Sequence, residues 1–449
     1  MLTDVIAALA TPGGRSAIAL IRVSGSRAHD VAATVIEGFR PEPLRTAHLS
    51  TVIDPTSGER LDEVLYTAYK GPSSYTGEDM VEISTHGGLL VPAEVLAAFL
   101  GAGARQALRG EFTRRALVNG KLDLLQAEAI GDLIDASAPA QRRAAMSQLD
   151  RGLSLRIGKL RDQVLELEAL CCYEIDFPEE DSGPVPPERI QIAIDDLSGS
   201  LERLLATAVE GERLQEGALC VIAGRPNVGK SSLFNALLGS DRAIVTDVPG
   251  TTRDAIEAPL VCEGFPFRLV DTAGLRDSDD TVERMGIEVS QRYLSGADVI
   301  ILCVEAGTPL NNDERSFRAE SQVPVIVVRT KADLMVDPGE SGCGDEVLAS
   351  ALDGTGLEVV RSRLAAIMFA GLGVRGDIEP LVTRARHRLS LQQARNEIRS
   401  FEGARRAGVD IVVAGTHLRA AVTALDDVIG VVTTEDVLDR VFGSFCVGK

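Results

Sequence analysis

The chain has 449 residues, of which 45% are hydrophobic and 25% charged, and its formal net charge is −20. This length suggests roughly two to four domains, and the composition is that of a globular protein. An acidic chain is not an obvious nucleic-acid binder, because clustered Lys and Arg make the phosphate contacts. If RNA is bound, a local patch or a basic partner must supply the positive field.

Nothing in the sequence indicates export or membrane insertion. The first residues lack the basic start and long apolar core of a secretory signal, and no apolar stretch approaches about 18 residues. The seven cysteines do not have zinc-site spacing and suit a reducing cytosol. We therefore expect a cytoplasmic protein without membrane contact, in which Cys220 and Cys303, inside apolar runs, are small core residues.

Residues 1–118 alternate short β-rich runs with Gly and Pro turns, which predicts a small α+β domain. The predicted elements are strands at Ile18–Val23, Val64–Ala68 and Met80–Ser84 and a helix near Val91–Leu100.

Residues 119–214 and 378–449 have helical periodicity, and residues 217–375 lie between them. In that middle block apolar runs alternate with helical segments, which predicts a mostly parallel sheet covered by helices. The predicted strands are Leu219–Ala223, Phe267–Val270, Val299–Val304, Val325–Arg329 and Glu346–Ala349. The fold class is therefore α/β and α, with a discontinuous helical domain interrupted by an inserted P-loop nucleotide domain of Ras-like type. Three domains in series is the alternative.

The segment Gly224-Arg-Pro-Asn-Val-Gly229-Lys230-Ser231 has the spacing of a phosphate-binding loop between a strand and a helix. Its backbone N–H groups and the helix N-terminus favour bound phosphate. Lys230 is expected to reach the β- and γ-phosphates as a catalytic cation, and Ser231 to ligate Mg²⁺.

Two later motifs extend the nucleotide site, and the second favours GTP over ATP. Asp271-Thr-Ala-Gly274 follows a predicted strand, which places Asp271 behind the Mg²⁺ ion and the Gly274 N–H at the γ-phosphate. Thr330-Lys331-Ala-Asp333 follows another, and the Asp333 carboxylate can accept two N–H groups from guanine, a pair that adenine does not offer. Ser350-Ala351 fits the remaining contact to the base oxygen.

Between the phosphate loop and Asp271, the segment Pro249-Gly250-Thr251-Thr252-Arg253-Asp254 is either a simple β-turn or a switch segment in which Thr252 binds Mg²⁺ when γ-phosphate is present. The predicted GTP contacts are Asn227, Val228, Gly229, Lys230, Ser231, Ser232, Thr246, Asp247, Val248, Pro249, Gly250, Thr251, Thr252, Asp271, Thr272, Ala273, Gly274, Thr330, Lys331, Asp333, Ser350, Ala351 and Leu352.

The chain resembles the tRNA-modification GTPase family called MnmE or TrmE over nearly its whole length. The GTPase motifs are shared with many GTPases, whereas flanking strings distinguish this family. These are Gly77-Glu-Asp, His86-Gly-Gly, Gly110-Glu-Phe-Thr-Arg-Arg-Ala, Lys121-Leu-Asp-Leu, Gln126-Ala-Glu-Ala-Ile, Asp132-Leu-Ile-Asp-Ala and Phe445-Cys-Val-Gly-Lys449.

The resemblance implies a homodimer that forms through the N-terminal domain and works with the flavin-dependent partner MnmG (GidA), as a heterotetramer or larger. Together they would install a carboxymethylaminomethyl or aminomethyl group on carbon 5 of the wobble uridine of certain tRNAs. The N-terminal domain would bind formyl-tetrahydrofolate or a related one-carbon donor through Arg22, Glu82, Lys121 and Lys449.

The resemblance also implies how hydrolysis is catalysed. The position after the DxxG motif holds Leu275, which cannot orient water as the glutamine of Ras-like enzymes does. In the family a K⁺ ion bound between two dimerising nucleotide domains supplies the charge. Its ligands would be Asn227, Thr246, Val248 and Thr251, and Glu283 would be the general base, acting through a bridging water.

Thr330 departs from the family, in which Asn is usual, and we expect guanine affinity to fall modestly. Cys446 is either a reactive thiol or a packing residue. A ribosome-assembly GTPase and a scaffold with a degenerate site are the alternative functions. The acidic helical flanks disfavour the former, and the intact phosphate and Mg²⁺ residues disfavour the latter.

Overall fold

The fold comes from a computed structural model that describes residues 4–176, 186–239, 257–271, 293–335, 346–372, 380–431 and 435–449. The chain divides into two compact units, one running up to Gly131 together with Asp426–Lys449 and the other Asp132–Leu425. Within the described residues, no helix is long and apolar enough to cross a membrane.

The first part of the chain is α+β, as predicted. Its elements are β1 (Ile6–Leu9), β2 (Gly14–Ser24), α1 (Ala28–Val35), β3 (Ala47–Ile53), β4 (Arg60–Tyr69), β5 (Met80–Gly88), α2 (Val91–Gly101), β6 (Arg105–Gln106) and α3 (Glu111–Val118). Six strands form one sheet in the order β3-β4-β5-β2-β1-β6. All pairs are antiparallel except β1 with β6. The three predicted strands are confirmed, and β1, β3 and β6 are additional.

Helices dominate the next segment. They are α4 (Leu124–Asp135), α5 (Pro139–Leu149), α6 (Gly152–Asp176), α7 (Pro187–Ala206) and α8 (Ala208–Glu216). The buried side chains of α6 include Leu153, Ile157, Leu160, Val164 and Leu167. Their spacing of three and four residues puts them on one face of the helix, which explains why this sequence forms an amphipathic helix.

A second sheet follows. Its elements are β7 (Ala218–Gly224), α9 (Lys230–Gly239), β8 (Glu257–Cys262), β9 (Phe265–Asp271), β10 (Val299–Glu305), α10 (Asn312–Glu320), β11 (Val325–Thr330), β12 (Glu346–Leu348) and α11 (Leu357–Met368). The strand order is β12-β11-β10-β7-β9-β8, with every pair parallel except β8 with β9. The five predicted strands are confirmed, and β8 is additional.

Three more helices complete the described chain: α12 (Ala385–Arg406), α13 (Ile411–Ile429) and α14 (Glu435–Gly443). The core of the second sheet is not confined to residues 217–375, because Ala140 and Ala144 of α5 and Leu214 of α8 are buried in the same cluster. A shared core does not fix where each domain begins and ends, so the predicted domain boundaries remain predictions.

Candidate functional site: a phosphate loop, a guanine-side cavity and a second cavity in the N-terminal sheet

The phosphate loop joins β7 to α9, and its backbone requires glycine at the first position. Gly224 has φ +141°, and a Cβ there would lie 2.5 Å from the Cys303 carbonyl oxygen. Gly229 has φ +95° and Asn227 has φ +61°, in the region that favours Gly and tolerates Asn. The loop therefore turns sharply into the N-terminus of α9, a geometry suited to phosphate.

Lys230 is only 8% exposed. Its Nζ donates hydrogen bonds to the carbonyl oxygens of Gly224 at 3.0 Å and Arg225 at 2.7 Å. A buried ammonium needs such partners, and these carbonyls hold it across the loop.

Arg225 is anchored to α10, a contact that sequence reasoning missed. Its Nε lies 2.8 Å from Oε1 of Glu314, and a second nitrogen donates to Oε2 at 2.9 Å. Glu314 is buried and completes a capping box with Asn311. No local signal could have revealed this pair, because the two residues are 89 positions apart.

Thr330 connects the guanine-side motif to the phosphate loop. Its Oγ1 donates to the Val228 carbonyl oxygen, 2.5 Å away, and also lies 3.3 Å from the Val304 carbonyl oxygen. Its side chain is buried. A hydroxyl has one proton, so Thr330 holds the loop and has no second donor for a base.

Asp333 and Ser350 face each other, as their predicted roles require. The Ser350 hydroxyl donates to Oδ1 of Asp333 at 2.8 Å, and its oxygen accepts the N–H of Leu352 at 3.2 Å. Ser350 thereby fixes the carboxylate that would read guanine. A cavity of about 550 Å³ lies at this position. Its lining includes Gly229, Ser232, Thr330, Lys331, Asp333, Ala351 and Leu352.

Two of the residues predicted to lie near Mg²⁺, Ser231 and Asp271, are within the described residues. Asp271 ends β9 and pairs in register with Ile222 of β7, which brings it to the edge where the phosphate loop begins. Ser231 is exposed in the first turn of α9. A carboxylate and a hydroxyl are hard oxygen donors that suit Mg²⁺. The remaining predicted nucleotide and ion residues lie outside the described residues: Thr246, Asp247, Val248, Pro249, Gly250, Thr251, Thr252, Thr272, Ala273, Gly274 and Glu283.

Cys220 and Cys303 are core residues, as predicted. Burial raises the pKa of the Cys303 thiol to about 12, with Lys230 lowering it and Asp271 raising it to lesser degrees. Burial likewise raises the pKa of Cys220. Both thiols are therefore protonated packing groups.

Two of the four predicted folate residues, Arg22 and Glu82, are bonded to each other, and a third, Lys449, follows a residue that Arg22 contacts. Arg22 Nε donates to Oε1 of Glu82 at 2.8 Å, and another Arg22 nitrogen donates to the Gly448 carbonyl oxygen at 3.4 Å, one residue before Lys449. The tail is itself docked, because the Phe112 N–H donates to the Lys449 carbonyl oxygen at 3.1 Å. Burial, and then the charge of Arg22, lower the pKa of Lys449.

Lys121 lines a cavity of about 440 Å³ together with Glu82. Its Nζ donates to the Pro72 carbonyl oxygen at 2.8 Å. Sequence reasoning missed the other lining residues, Arg45, Tyr69, Ser73, Ser74, Tyr75 and Met80. The Tyr69 hydroxyl donates to Oε2 of Glu82 at 3.2 Å, and the Arg22 guanidinium lies 5.5 Å from the centre of the Tyr75 ring.

These features give the second cavity a definite chemical character. A carboxylate accepts N–H groups, two aromatic rings offer flat contact surfaces, and Arg45 and Lys121 supply positive charge. This combination fits a ligand that has a flat heterocycle with N–H donors at one end and carboxylates at the other. A folate has both.

Comparison with known proteins gives two family matches. The family model of the MnmE helical domain matches residues 124–446, and the model described as GTP-binding protein TrmE N-terminus matches residues 5–121. The helical match begins before the second sheet and ends after it, and includes the residues of the sheet.

Full-length relatives agree with those matches. The chain is 42% identical over 464 residues to the tRNA modification GTPase MnmE of Moorella thermoacetica, covering 100% of both chains. It is 41% identical over 452 residues to that of Aquifex aeolicus, again covering 100% of both. Among solved structures, the G domain of the T. maritima FeoB iron transporter matches 33% of this chain and 98% of its own, with 28% identity and a TM-score of 0.24.

Proposed function

The chain belongs to the MnmE family of tRNA modification GTPases, and we propose that it is a K⁺-activated member acting on the wobble uridine. The observation that carries the proposal is the joining of three motifs at one cavity. The motifs are the phosphate loop, the pair Thr330 and Asp333, and the pair Ser350 and Ala351. The Thr330 hydroxyl bonds to the Val228 carbonyl of the loop, and the Ser350 hydroxyl bonds to Asp333.

In the proposed cycle the phosphate loop binds GTP and Lys230 exchanges its loop carbonyls for phosphate oxygens. Asp333, oriented by Ser350, selects guanine. Ser231 and Thr252 would hold Mg²⁺, and Asn227, Thr246, Val248 and Thr251 would hold K⁺. Both ions would supply positive charge where negative charge is spread over the transferred phosphoryl group. Glu283 positions and deprotonates the attacking water through a bridging water.

Of the four proposed K⁺ ligands, Asn227 lies within the described residues, and its position suits that role. It is exposed, and its left-handed backbone turns the loop at that position. Because the other three ligands come from a separate segment at residues 246–251, we propose that the ion site is completed when two nucleotide domains meet. GTP hydrolysis is then coupled to that dimerisation.

For the N-terminal part we propose binding of a one-carbon tetrahydrofolate by Arg22, Glu82, Lys121 and Lys449. We also propose that this part forms the homodimer. Leu49 and Leu65 support the latter, because they pair across β3 and β4 and are 67% and 49% exposed. Neighbouring exposed leucines on a sheet are typical of an interface.

The proposed product is the carboxymethylaminomethyl or aminomethyl group on carbon 5, formed with the flavin-dependent partner MnmG. The folate would provide the carbon unit, the partner the redox step, and this chain the GTP-driven movement.

Nucleoside analysis of tRNA from cells lacking this chain tests the proposal. We expect the modified wobble uridine to disappear and to return with the wild-type gene but not with Lys230→Ala. Unchanged tRNA nucleosides together with accumulating ribosomal subunits would instead support a ribosome-assembly GTPase.

A further inference from the structure

Positive charge is locally concentrated in α5 and the beginning of α6, as it also is in α12. Residues 139–161 contain six Lys or Arg and one Asp, whereas the whole chain contains 46 Lys and Arg against 66 Asp and Glu. This segment is therefore locally basic within a chain that is acidic on balance.

The basic side chains lie away from the packed faces of both helices. In α5, Ala140, Ala144 and Ala145 are buried while Arg142 and Arg143 are exposed. In α6, Lys159 is exposed and Arg156 is half-buried, between buried Leu153, Ile157 and Leu160. The two helices pack against each other and are joined by the short turn at Asp150 and Arg151.

These charges are not neutralised by carboxylates. Among the described residues, Arg142, Arg143, Arg156 and Lys159 form no ion pair within 4.0 Å. The Arg-rich helix α12 is the contrasting case, because several of its arginines and the one before it are paired. Arg384 pairs with Asp132, Arg388 with Glu212, Arg399 with Glu202 and Arg406 with Glu402.

We propose that Arg142, Arg143, Arg156 and Lys159 form the surface through which this chain contacts the phosphate backbone of its tRNA. The inference rests on the proposed function, which makes the substrate a polyanion. A chain of net charge −20 repels a polyanion on balance, so contact requires a locally basic surface whose charges are not already paired. Such contacts position the nucleic acid and do not read its sequence.

The test measures binding of a fluorescently labelled tRNA transcript to the full chain at two KCl concentrations, about 50 and about 200 mM. The variants are Arg142→Glu/Arg143→Glu and Arg156→Glu/Lys159→Glu. At the lower salt we expect each to weaken binding at least about tenfold. We also expect the slope of log affinity against log salt to fall by roughly 1.4 to 1.8, from about 0.7 to 0.9 for each lost contact.

Arg399→Glu/Arg406→Glu is the matched control. It changes the net charge by the same amount at arginines that are 56% and 69% exposed and already paired. We expect its tRNA affinity to stay within about twofold of wild type. GTP hydrolysis without RNA should be unchanged in all three variants, which establishes that each one is folded.

Several outcomes would overturn the inference. Equal loss in the control would mean that net charge alone governs binding. Unchanged tRNA binding, with loss only of binding to the acidic surface of a protein partner, would reassign the surface to that partner. If the wild-type chain bound no tRNA while its deletion still abolished the modified uridine, the inference would fail and the proposed function would stand.

Discussion

At the residue scale, Thr330 stands where the resemblance leads us to expect Asn. Thr330 bonds to the phosphate loop, because its Oγ1 donates to the Val228 carbonyl oxygen. Unlike Asn, it has no second N–H or O–H to donate. An Asn amide has two N–H groups, so it can serve both the loop and a base acceptor in the adjoining cavity. The sequence predicts a modest loss of guanine affinity, and the single donor of Thr330 is a physical reason to expect it.

We therefore expect Thr330→Asn to bind GDP about three- to tenfold more tightly, the value of one added neutral hydrogen bond of about 1 kcal/mol. Thr330→Val should bind more weakly and unfold at lower temperature, because a buried loop carbonyl loses its donor at a cost of about 1–3 kcal/mol. Titration with a fluorescent GDP analogue and thermal unfolding measure the two effects. Wild-type affinity in Thr330→Val would contradict the role given to the hydroxyl.

The residue scale also shows the limits of motif reading. The motifs predicted Lys230, Asp333 and Ser350 because each lies in a short stretch directly after its own strand, where the local sequence fixes its position. Arg45, Tyr69 and Tyr75 were missed because each belongs to a different strand or loop of the N-terminal part. Only the antiparallel pairing of the sheet brings them together, and no local pattern encodes that pairing.

At the element scale, α10 is tied to the phosphate loop by Glu314 and capped by Asn311. Asn311→Ala removes the bond to the Glu314 N–H and should cost about 1 kcal/mol of stability. Glu314→Gln can keep the capping box while weakening the hold on Arg225. We expect a several-fold loss of GDP affinity only in Glu314→Gln. Equal GDP affinities in the two variants would show that the ion pair does not position the loop.

The ion-pair group that joins β6 and α3 predicts acid sensitivity. Burial raises the pKa of Glu111, but hydrogen bonds from Arg105, the Leu108 N–H and Arg115 outweigh it, and the net pKa is lowered. For Asp4, burial again raises the pKa, and Arg105 and Arg115 outweigh it, so that the net pKa is lowered as well. A carboxyl group whose pKa is lower in the folded state stabilises the fold above its ordinary pKa and loses that effect as the pH falls.

We expect the free energy of unfolding of wild type to decrease as the pH falls from about 5 towards 2. Glu111→Gln should be less stable at pH 7 by about 1–3 kcal/mol and should show a flatter pH dependence. Denaturant unfolding across this pH range measures both. Glu94→Gln, which removes an exposed carboxylate, should retain the wild-type slope. An unchanged slope in Glu111→Gln would exclude this group as the source of acid sensitivity.

Elements with strong periodicity were predictable, and elements defined by their neighbours were not. The five apolar runs of the second sheet became β7, β9, β10, β11 and β12. β8 was missed, because Glu257–Cys262 contains a proline and is half-exposed along part of its length. It is a strand because it pairs antiparallel with β9 at the edge of the sheet, where proline is tolerated.

At the scale of the whole molecule, the sequence suggests an inserted nucleotide domain, whereas the packing joins that block closely to the helices around it. The Ala140 N–H donates to the Gly264 carbonyl oxygen at 2.9 Å, and Ala140 shares a core with Phe265 and Phe267. A movement of the nucleotide block would therefore be transmitted directly to α5. This contact gives a physical route by which GTP hydrolysis could act on the proposed RNA surface.

If catalysis needs two nucleotide domains to meet around K⁺, the turnover rate must depend on both the cation and the protein concentration. We expect GTP hydrolysis per chain to be several-fold faster in K⁺ than in Na⁺ and to rise with protein concentration. Asn227→Ala should lose the K⁺ stimulation because it removes a ligand oxygen, and Glu283→Ala should keep GTP binding and lose hydrolysis. Phosphate-release assays in matched KCl and NaCl measure all of these. Equal rates in the two salts would exclude the cation site, and near-full turnover in Glu283→Ala would leave water activation to another group.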